Sequence, residues 1–334
     1  MQTWGTRRAF LARAAAVAAV GVVADGAKSD EGPPETLSVR LPAFPNVSDC
    51  QAPLYASRDL LLAEGFTDVS FVDSGTGPDS ADWLAHGEID FDWNFPPAHI
   101  RSIDGGAAIR VLAGMHVGCL ELIANREIRG VPDLKGRKVG VDMINGSPHA
   151  LLRIMAAYVG LDPDEDLRWV TSSDPVQALA DGEIDAFLAT PPQPQAARDM
   201  RLGHVIVNTS VDRPWSQYFC CMLATSDSYV RSYPVATKRV LRAVLKAVDL
   251  CVTDPPLIAA ESVRGGFAAN YDLVLRALRD GRYGVWREYD PEDSLRFYAL
   301  RMQETKITSM NPQKVISNGS DWSFLNEVKR ELKA

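Results

Sequence analysis

Two rhythms of apolar and polar residues divide the chain. In "TLSVRLPAF" (36–44) apolar residues alternate with polar ones up to a proline, which predicts a strand. "APLYASRDLLLAEG" (52–65) places Leu54, Leu61 and Leu62 near helical spacing and closes on Gly65, a common helix end. "DVSFVDSG" (68–75) alternates again as a strand, a helix is predicted from Asp79 to His86, and another strand follows it. "IRVLAGMHVGCLELIAN" (109–125) is a long apolar run broken by glycine and reads as two strands. The order then recurs: strand 137–143, helix 147–160, strand 167–170, helix 174–182, strand 183–190 and strand 204–209. Beyond "FCCMLATS" (219–226) the rhythm turns helical, most strongly in "PVATKRVLRAVLKAVDLCVTD" (234–254). Strands and helices in this alternation predict an α/β fold.

One phrase occurs twice. "LAHGEIDFDWNFPP" (84–97) and "LADGEIDAFLATPP" (179–192) each predict a short helix ending at glycine, a turn, and an apolar strand stopped by Pro-Pro. Proline cannot donate to a sheet ladder, so the pair fixes where the strand stops. Glu88, Asp90, Glu183 and Asp185 are then turn and strand-edge residues, not a catalytic set. Ligands in open α/β sheets sit beyond the carboxyl ends of strands. Asn94-Phe95-Pro96-Pro97 and Thr190-Pro191-Pro192 are therefore the expected rims of a site.

Composition changes the picture mainly at the amino terminus. The chain has 334 residues, 46% of them hydrophobic, enough for roughly two domains. A net charge of −8 with no basic run beyond the first residues argues against nucleic acid as a partner. "TRRAFLARAAAVAAVGVVADGA" joins basic residues to an apolar run and small residues, an export signal over 1–27 with cleavage after Ala24 or Ala27. Its apolar run is short of the ~20 residues that cross a bilayer. Thr6 to Leu11 resembles the twin-arginine signal of proteins exported folded. The mature protein is expected to be soluble and periplasmic. The five cysteines (Cys50, Cys119, Cys220, Cys221 and Cys251) show no metal-site spacing, and the five histidines no ligand spacing. No metal or cofactor is predicted, and mostly buried thiols are expected.

"DLKGRKVGV" (133–141), "GSPHALL" (146–152), the two GEID segments and "RVLRAVLKAVDLCVTDP" (239–255) resemble, in order and spacing, the nitrate/taurine/aliphatic-sulfonate group of ABC-transporter substrate-binding proteins. The resemblance covers nearly the whole mature chain. It implies a type II periplasmic binding protein: two α/β lobes joined by two crossovers with a ligand cleft between them. Lobe one would hold 36–123 plus 222–334, and lobe two 126–217. It further implies a monomer without catalytic activity that captures a small organic anion or heterocycle by lobe closure and delivers it to an ABC permease. An enzyme on the same fold, of the pyrimidine-synthase or decarboxylase kind, and a periplasmic sensor subunit are the alternatives.

The expected ligand contacts follow. Asn145, Gly146 and Ser147 begin a helix, whose unpaired N–H groups and partial positive charge suit an anion. His149 fits the same helix start. Asn46, Cys50 and Gln51 follow the first strand, Ser74 and Thr76 end the second, and Asn94 and Thr190 stand before the two Pro-Pro pairs. Trp215 and Tyr218 are spaced to wall a flat ligand.

Overall fold

The computed structural model describes residues 31–44, 49–73 and 79–332; the export signal lies outside them. β1 (Ser38–Ala43) buries Val39 and Leu41 completely, as its alternation requires, and runs parallel to β2 (Asp68–Asp73). The segment between them folds as two short helices, Ala52–Ala56 and Arg58–Ala63, where one helix is expected. The helix Ser80–His86 precedes β3 (Phe91–Asn94), and Pro96–Asp104 precedes β4 (Ile109–Val117). The long apolar run splits as expected: β5 (Glu121–Ala124) leaves the direction of β4 and enters another sheet.

That sheet also takes β6 (Lys138–Val141), β7 (Arg168–Thr171), β8 (Ala186–Ala189) and β9 (His204–Asn208), in the order β7-β6-β8-β5-β9. β6 is parallel to β7 and β8, whereas β5 is antiparallel to β8 and β9. The chain then returns as β10 (Phe219–Ser226), which sits between β3 and β4, antiparallel to both. The molecule is thus two α/β lobes joined by two crossovers, residues 118–120 and 209–218. β5 pairs wholly within the five-stranded sheet, so the first crossover falls earlier than the boundary after 123 read from sequence. The helix Pro234–Thr253 packs on the first lobe through buried Val240, Leu241, Val244 and Val248. No helix among the described residues is long and apolar enough to cross a membrane.

The repeated phrase is one device built twice. Gly87 and Gly182 both take the left-handed conformation, at φ 74° and 73°, and end their helices. Asp90 N–H then donates to Arg40 C=O (2.9 Å), while Asp90 Oδ2 accepts from Arg40 N–H (2.7 Å). In the second copy Asp185 N–H donates to Lys138 C=O and Asp185 Oδ2 accepts from Lys138 N–H, both at 2.8 Å. Each aspartate fastens its strand to the neighbouring one. Pro-Pro does more than stop the strand, because a helix starts at Pro96 and another at Gln193, directly behind the second pair. Proline suits a first helical turn, where its missing N–H costs nothing.

The crossovers touch each other. Gly118, at φ 73°, lies so close to Ser210 that a Cβ there would stand 2.3 Å from Ser210 Cα. Cys119 N–H donates to Ser210 Oγ (3.1 Å), Leu120 N–H to Thr209 Oγ1 (3.0 Å), and Thr209 N–H to Leu120 C=O (3.0 Å). Both strands between the lobes therefore move as one ribbon.

Candidate functional site

The helix Ser147–Tyr158 starts just beyond β6, and three residues shape its start. Asn145 holds φ 65°, which asparagine tolerates better than most residues, and its N–H donates to His149 Nδ1 at 3.0 Å. Gly146 is the N-cap, and its C=O accepts the first helical hydrogen bond from Ala150 N–H (3.0 Å). Ser147 does not cap the helix. Its buried hydroxyl donates across the lobe seam to Asp79 Oδ2 at 3.1 Å.

Asp79 closes the gap from the first lobe. Its Oδ1 caps the helix Ser80–His86 by accepting from Ala81 N–H (3.3 Å) and also accepts from Asn94 Nδ2 (2.5 Å). Its Oδ2 meets Arg101 Nη2 at 3.4 Å, and Arg101 Nη1 donates to the Asn145 carbonyl in the second lobe. Behind Asp79 the network continues inward. Asn94 Nδ2 donates to Ser80 Oγ (2.9 Å), Ser80 Oγ donates to Asp92 Oδ1 (2.5 Å), and Asp92 Oδ2 lies 2.9 Å from His99 Nε2. Asp92 and His99 are fully buried. Burial, aided by the Asp92 charge, pushes the Asp79 carboxyl above its ordinary pKa; Arg101 and Ser147 pull the other way.

The structure brings Asn94, Asn145, Gly146, Ser147 and His149 to this seam. Strand alternation puts Trp93 in the core and turns Asn94 toward Asp79. Asn46, Ser74 and Thr76 lie outside the described residues. Gln51 is committed elsewhere, donating to Trp93 C=O (3.2 Å) and accepting from Tyr55 OH (3.0 Å). Thr190 N–H and hydroxyl both turn to Gln193 Oε1, closing the start of the next helix. Trp215 packs edge-on against Tyr158 and Phe297, and Tyr218 stacks face to face on Phe297 at 3.9 Å. These two rings serve packing between the return crossover and the helix Pro291–Glu304. Cys50 is buried in a separate cluster of thiols.

Sequence reasoning missed Asp79 and Arg101. Asp79-Ser80 before an apolar helix is a start signal, which places the helix but names no ligand contact. Arg101 has no motif around it. On the opposite side of the seam Arg198 meets Glu121 and Asp280, and Arg276 meets Asp199, each at 2.6 Å. A cavity of about 350 Å³ lies beside them, lined in part by Cys119, Glu121 and Pro191. Arg198, Asp280, Arg276 and Asp199 are all substantially exposed, so these pairs hold the lobes together only weakly.

His149 gives the helix start a pH signature. Burial, reinforced by the Arg153 charge, lowers its pKa from 6.5 to about 4. The unfolded chain binds the proton first, so stability is intact above pH 6.5 and is lost as pH falls toward 4. Discounted for the solvent that screens the ring, the loss is on the order of 1–2 kcal/mol at pH 4. Chemical denaturation of wild type and His149→Gln at pH 7 and pH 4 measures it: the wild type should lose about that much more than the variant.

Residues 32–263 match the NMT1-like family. A stretch of 153 residues is 28% identical to the bicarbonate-binding protein CmpA of Synechococcus elongatus, covering 44% of this chain and 33% of that relative. The chain thus matches about a third of the curated relative's length. The periplasmic nitrate-binding protein NrtA from Synechocystis superimposes with a TM-score of 0.76 at 15% identity, over 90% of each chain. The alkanesulfonate-binding protein SsuA from Xanthomonas axonopodis, bound to MOPS, does so with 0.68 at 17% identity, over 82% of this chain and 95% of that one. At such identities the likeness fixes the architecture, the two-lobed periplasmic binding protein fold. With the family match spanning most of both lobes, the chain belongs to the NMT1-like family.

Proposed function

We propose that this protein is a solute receptor of an ABC importer, which takes up a small oxyanion-bearing solute between its lobes and presents it to a membrane permease. One observation carries the reading: the positive end of the helix Ser147–Tyr158 projects from one lobe onto Asp79, the N-cap of the helix Ser80–His86, and Arg101 of the other. Its first-turn N–H groups lie outside the helical ladder and favour a negative group. In the structure that place is held by the Asp79 carboxylate, bound to Ser147. The related proteins whose names specify bicarbonate, nitrate and alkanesulfonate fit the same chemistry. A flat heterocycle has less support, because Trp215 and Tyr218 are engaged by Phe297. The twin-arginine-type signal read from the sequence supports a periplasmic location; a monomeric receptor without turnover is part of the same proposal.

A solute anion must displace Asp79 or find it protonated. Because the Asp79 pKa is raised, lowering pH neutralises it before an ordinary carboxyl, and affinity for the anion should rise. Asp79→Asn should tighten binding about tenfold, ~1.4 kcal/mol, and flatten that pH dependence. A thermal-shift screen of bicarbonate, nitrate, sulfonates, carboxylates and pyrimidines finds the solute, since ligand raises the melting temperature by mass action. Calorimetry on Asp79→Asn then tests the site. Weaker binding in the variant would assign an amine, not an anion, to this position. Chemical conversion of the bound solute would favour the enzyme alternative.

A further inference from the structure

We propose that Cys50, His116, Cys119 and Cys221 form a buried site for a soft d10 cation, Zn²⁺ or Cu⁺. The four residues come from four separate stretches: the turn Asp49–Gln51 after β1, the end of β4, the first crossover, and the start of β10. No spacing along the chain marks them as a set; the fold collects them. The ligating atoms of Cys50, His116 and Cys119 all lie within 4.8 Å of one another. The Cys50 thiol is also within hydrogen-bonding reach of Cys221. A tetrahedral centre with ~2.3 Å metal–sulfur bonds holds its sulfurs ~3.8 Å apart. A contraction of about 1 Å or less therefore closes Cys50, His116 and Cys119 around an ion, with Cys221 beside Cys50 as the fourth ligand.

Two buried polar groups point to an ion and not to ordinary packing. His116 is fully buried, and among the described residues its ring nitrogens have no oxygen or nitrogen partner; the Cys50 thiol lies within reach of the ring. Among the described residues the Trp93 indole N–H has no oxygen or nitrogen acceptor and is within reach of the Cys221 sulfur. An imidazole and an indole N–H without oxygen or nitrogen partners are costly in an apolar core. A cation on the imidazole lone pair, with the indole N–H donating to a metal-bound thiolate, satisfies both groups. Cys251 shows the contrast: it lies apart in a helix and donates to Ala247 C=O, as a structural thiol does.

The donor set selects the metal class. Thiolates and imidazole favour Zn²⁺ or Cu⁺, whereas Mg²⁺ and Ca²⁺ require oxygen ligands. Each thiol releases its proton to solvent as its metal–sulfur bond forms, and His116 binds through a lone pair as neutral imidazole. The competing chemistry is a disulfide, because Cys119 Sγ and Cys220 Sγ are 3.4 Å apart. A Cys119–Cys220 disulfide would take Cys119 out of the donor set and leave His116 beside the Cys50 thiol. A bound ion would tie the first crossover and the start of β10 to the turn after β1, independently of which solute the cleft takes.

The test uses the intact protein, reduced and handled without oxygen. Co²⁺, as a spectroscopic stand-in for Zn²⁺, is titrated in one arm, and Cu⁺ against a chromophoric Cu⁺ chelator in the other. The expected result is one equivalent bound per chain in at least one arm. In the cobalt arm this appears as thiolate-to-metal charge transfer and tetrahedral d–d bands that one equivalent of Zn²⁺ abolishes. His116→Gln and Cys119→Ser should weaken binding about 100-fold, and Cys251→Ser should not change it. Circular dichroism confirms that each variant is folded, with Cys221→Ser replacing any that is not. The proposal is overturned if the reduced wild type takes up neither cation stoichiometrically, or if binding survives loss of His116 and Cys119. Thiol mapping of the protein as exported shows whether a Cys119–Cys220 disulfide accompanies a negative result.

Discussion

Replacing Gly118 with valine should destabilise the protein by about 3–4 kcal/mol, which lowers the melting temperature by roughly 5 °C. Two costs combine. The backbone at 118 is left-handed, φ 73°, where any side chain except glycine's is strained. In addition the new Cβ would stand 2.3 Å from Ser210 Cα and 2.6 Å from Ser210 N, backbone atoms that cannot turn aside. Relieving that overlap parts the crossovers and breaks the bonds from Cys119 and Leu120 to Ser210 and Thr209. Gly87→Ala separates the two costs. Gly87 has nearly the same φ, 74°, but nothing within 4 Å of its would-be Cβ. It should lose only about 1 kcal/mol. Thermal and urea unfolding of both variants checks the pair, and equal losses would mean that the crossover contact contributes nothing.

Asp92→Ala should cost a similar amount, about 3–5 kcal/mol. Asp92 is fully buried and holds Ser80 Oγ on one oxygen and His99 Nε2 on the other. Removing it strands a hydroxyl and an imidazole in an apolar core with no water to replace the lost acceptor. Asp92→Asn keeps the shape and one acceptor, so it should lose about half as much. Urea unfolding gives the difference. The effect should also reach the lobe seam, because Ser80 and Asn94 link Asp92 to Asp79. A loss of under 1 kcal/mol in the alanine variant would show that the buried network is dispensable.

The lobes can be read from the sequence because their strands and helices obey local rules. Val39 and Leu41 alternate, Gly87 and Gly182 end helices, and each Pro-Pro pair stops a strand. The helix start at Asn145-Gly146-Ser147 is legible for the same reason. What meets it is not, since Ser147 and Asp79 are 68 residues apart and neither belongs to a shared motif. Spacing also failed for Trp215 and Tyr218: it puts two rings near the crossover but cannot show that Phe297 covers them. The thiols are the extreme case. Cys50, Cys119 and Cys221 are each unremarkable in sequence, and only the fold brings the turn after β1, the first crossover and the start of β10 to one point.

The bond between Asp79 and Ser147 has a further consequence for the open and closed forms. A carboxylate on the first lobe already seated at the helix start of the second acts as a tethered competitor. Its effective concentration there is on the order of millimolar or higher, set by the chain and not by the medium. On the function proposed above, an incoming anion would be selected against an internal standard: it must outdo a carboxylate of the protein's own, not merely water. Solutes bearing several acceptor oxygens pass that threshold more readily than a single weak acceptor. Apparent affinity is reduced by the fraction of molecules in which Asp79 is still seated. The same contact lets the lobes approach without solute, so closure and occupancy should be separable in this protein: distance measurements across the seam and calorimetric binding need not report the same transition.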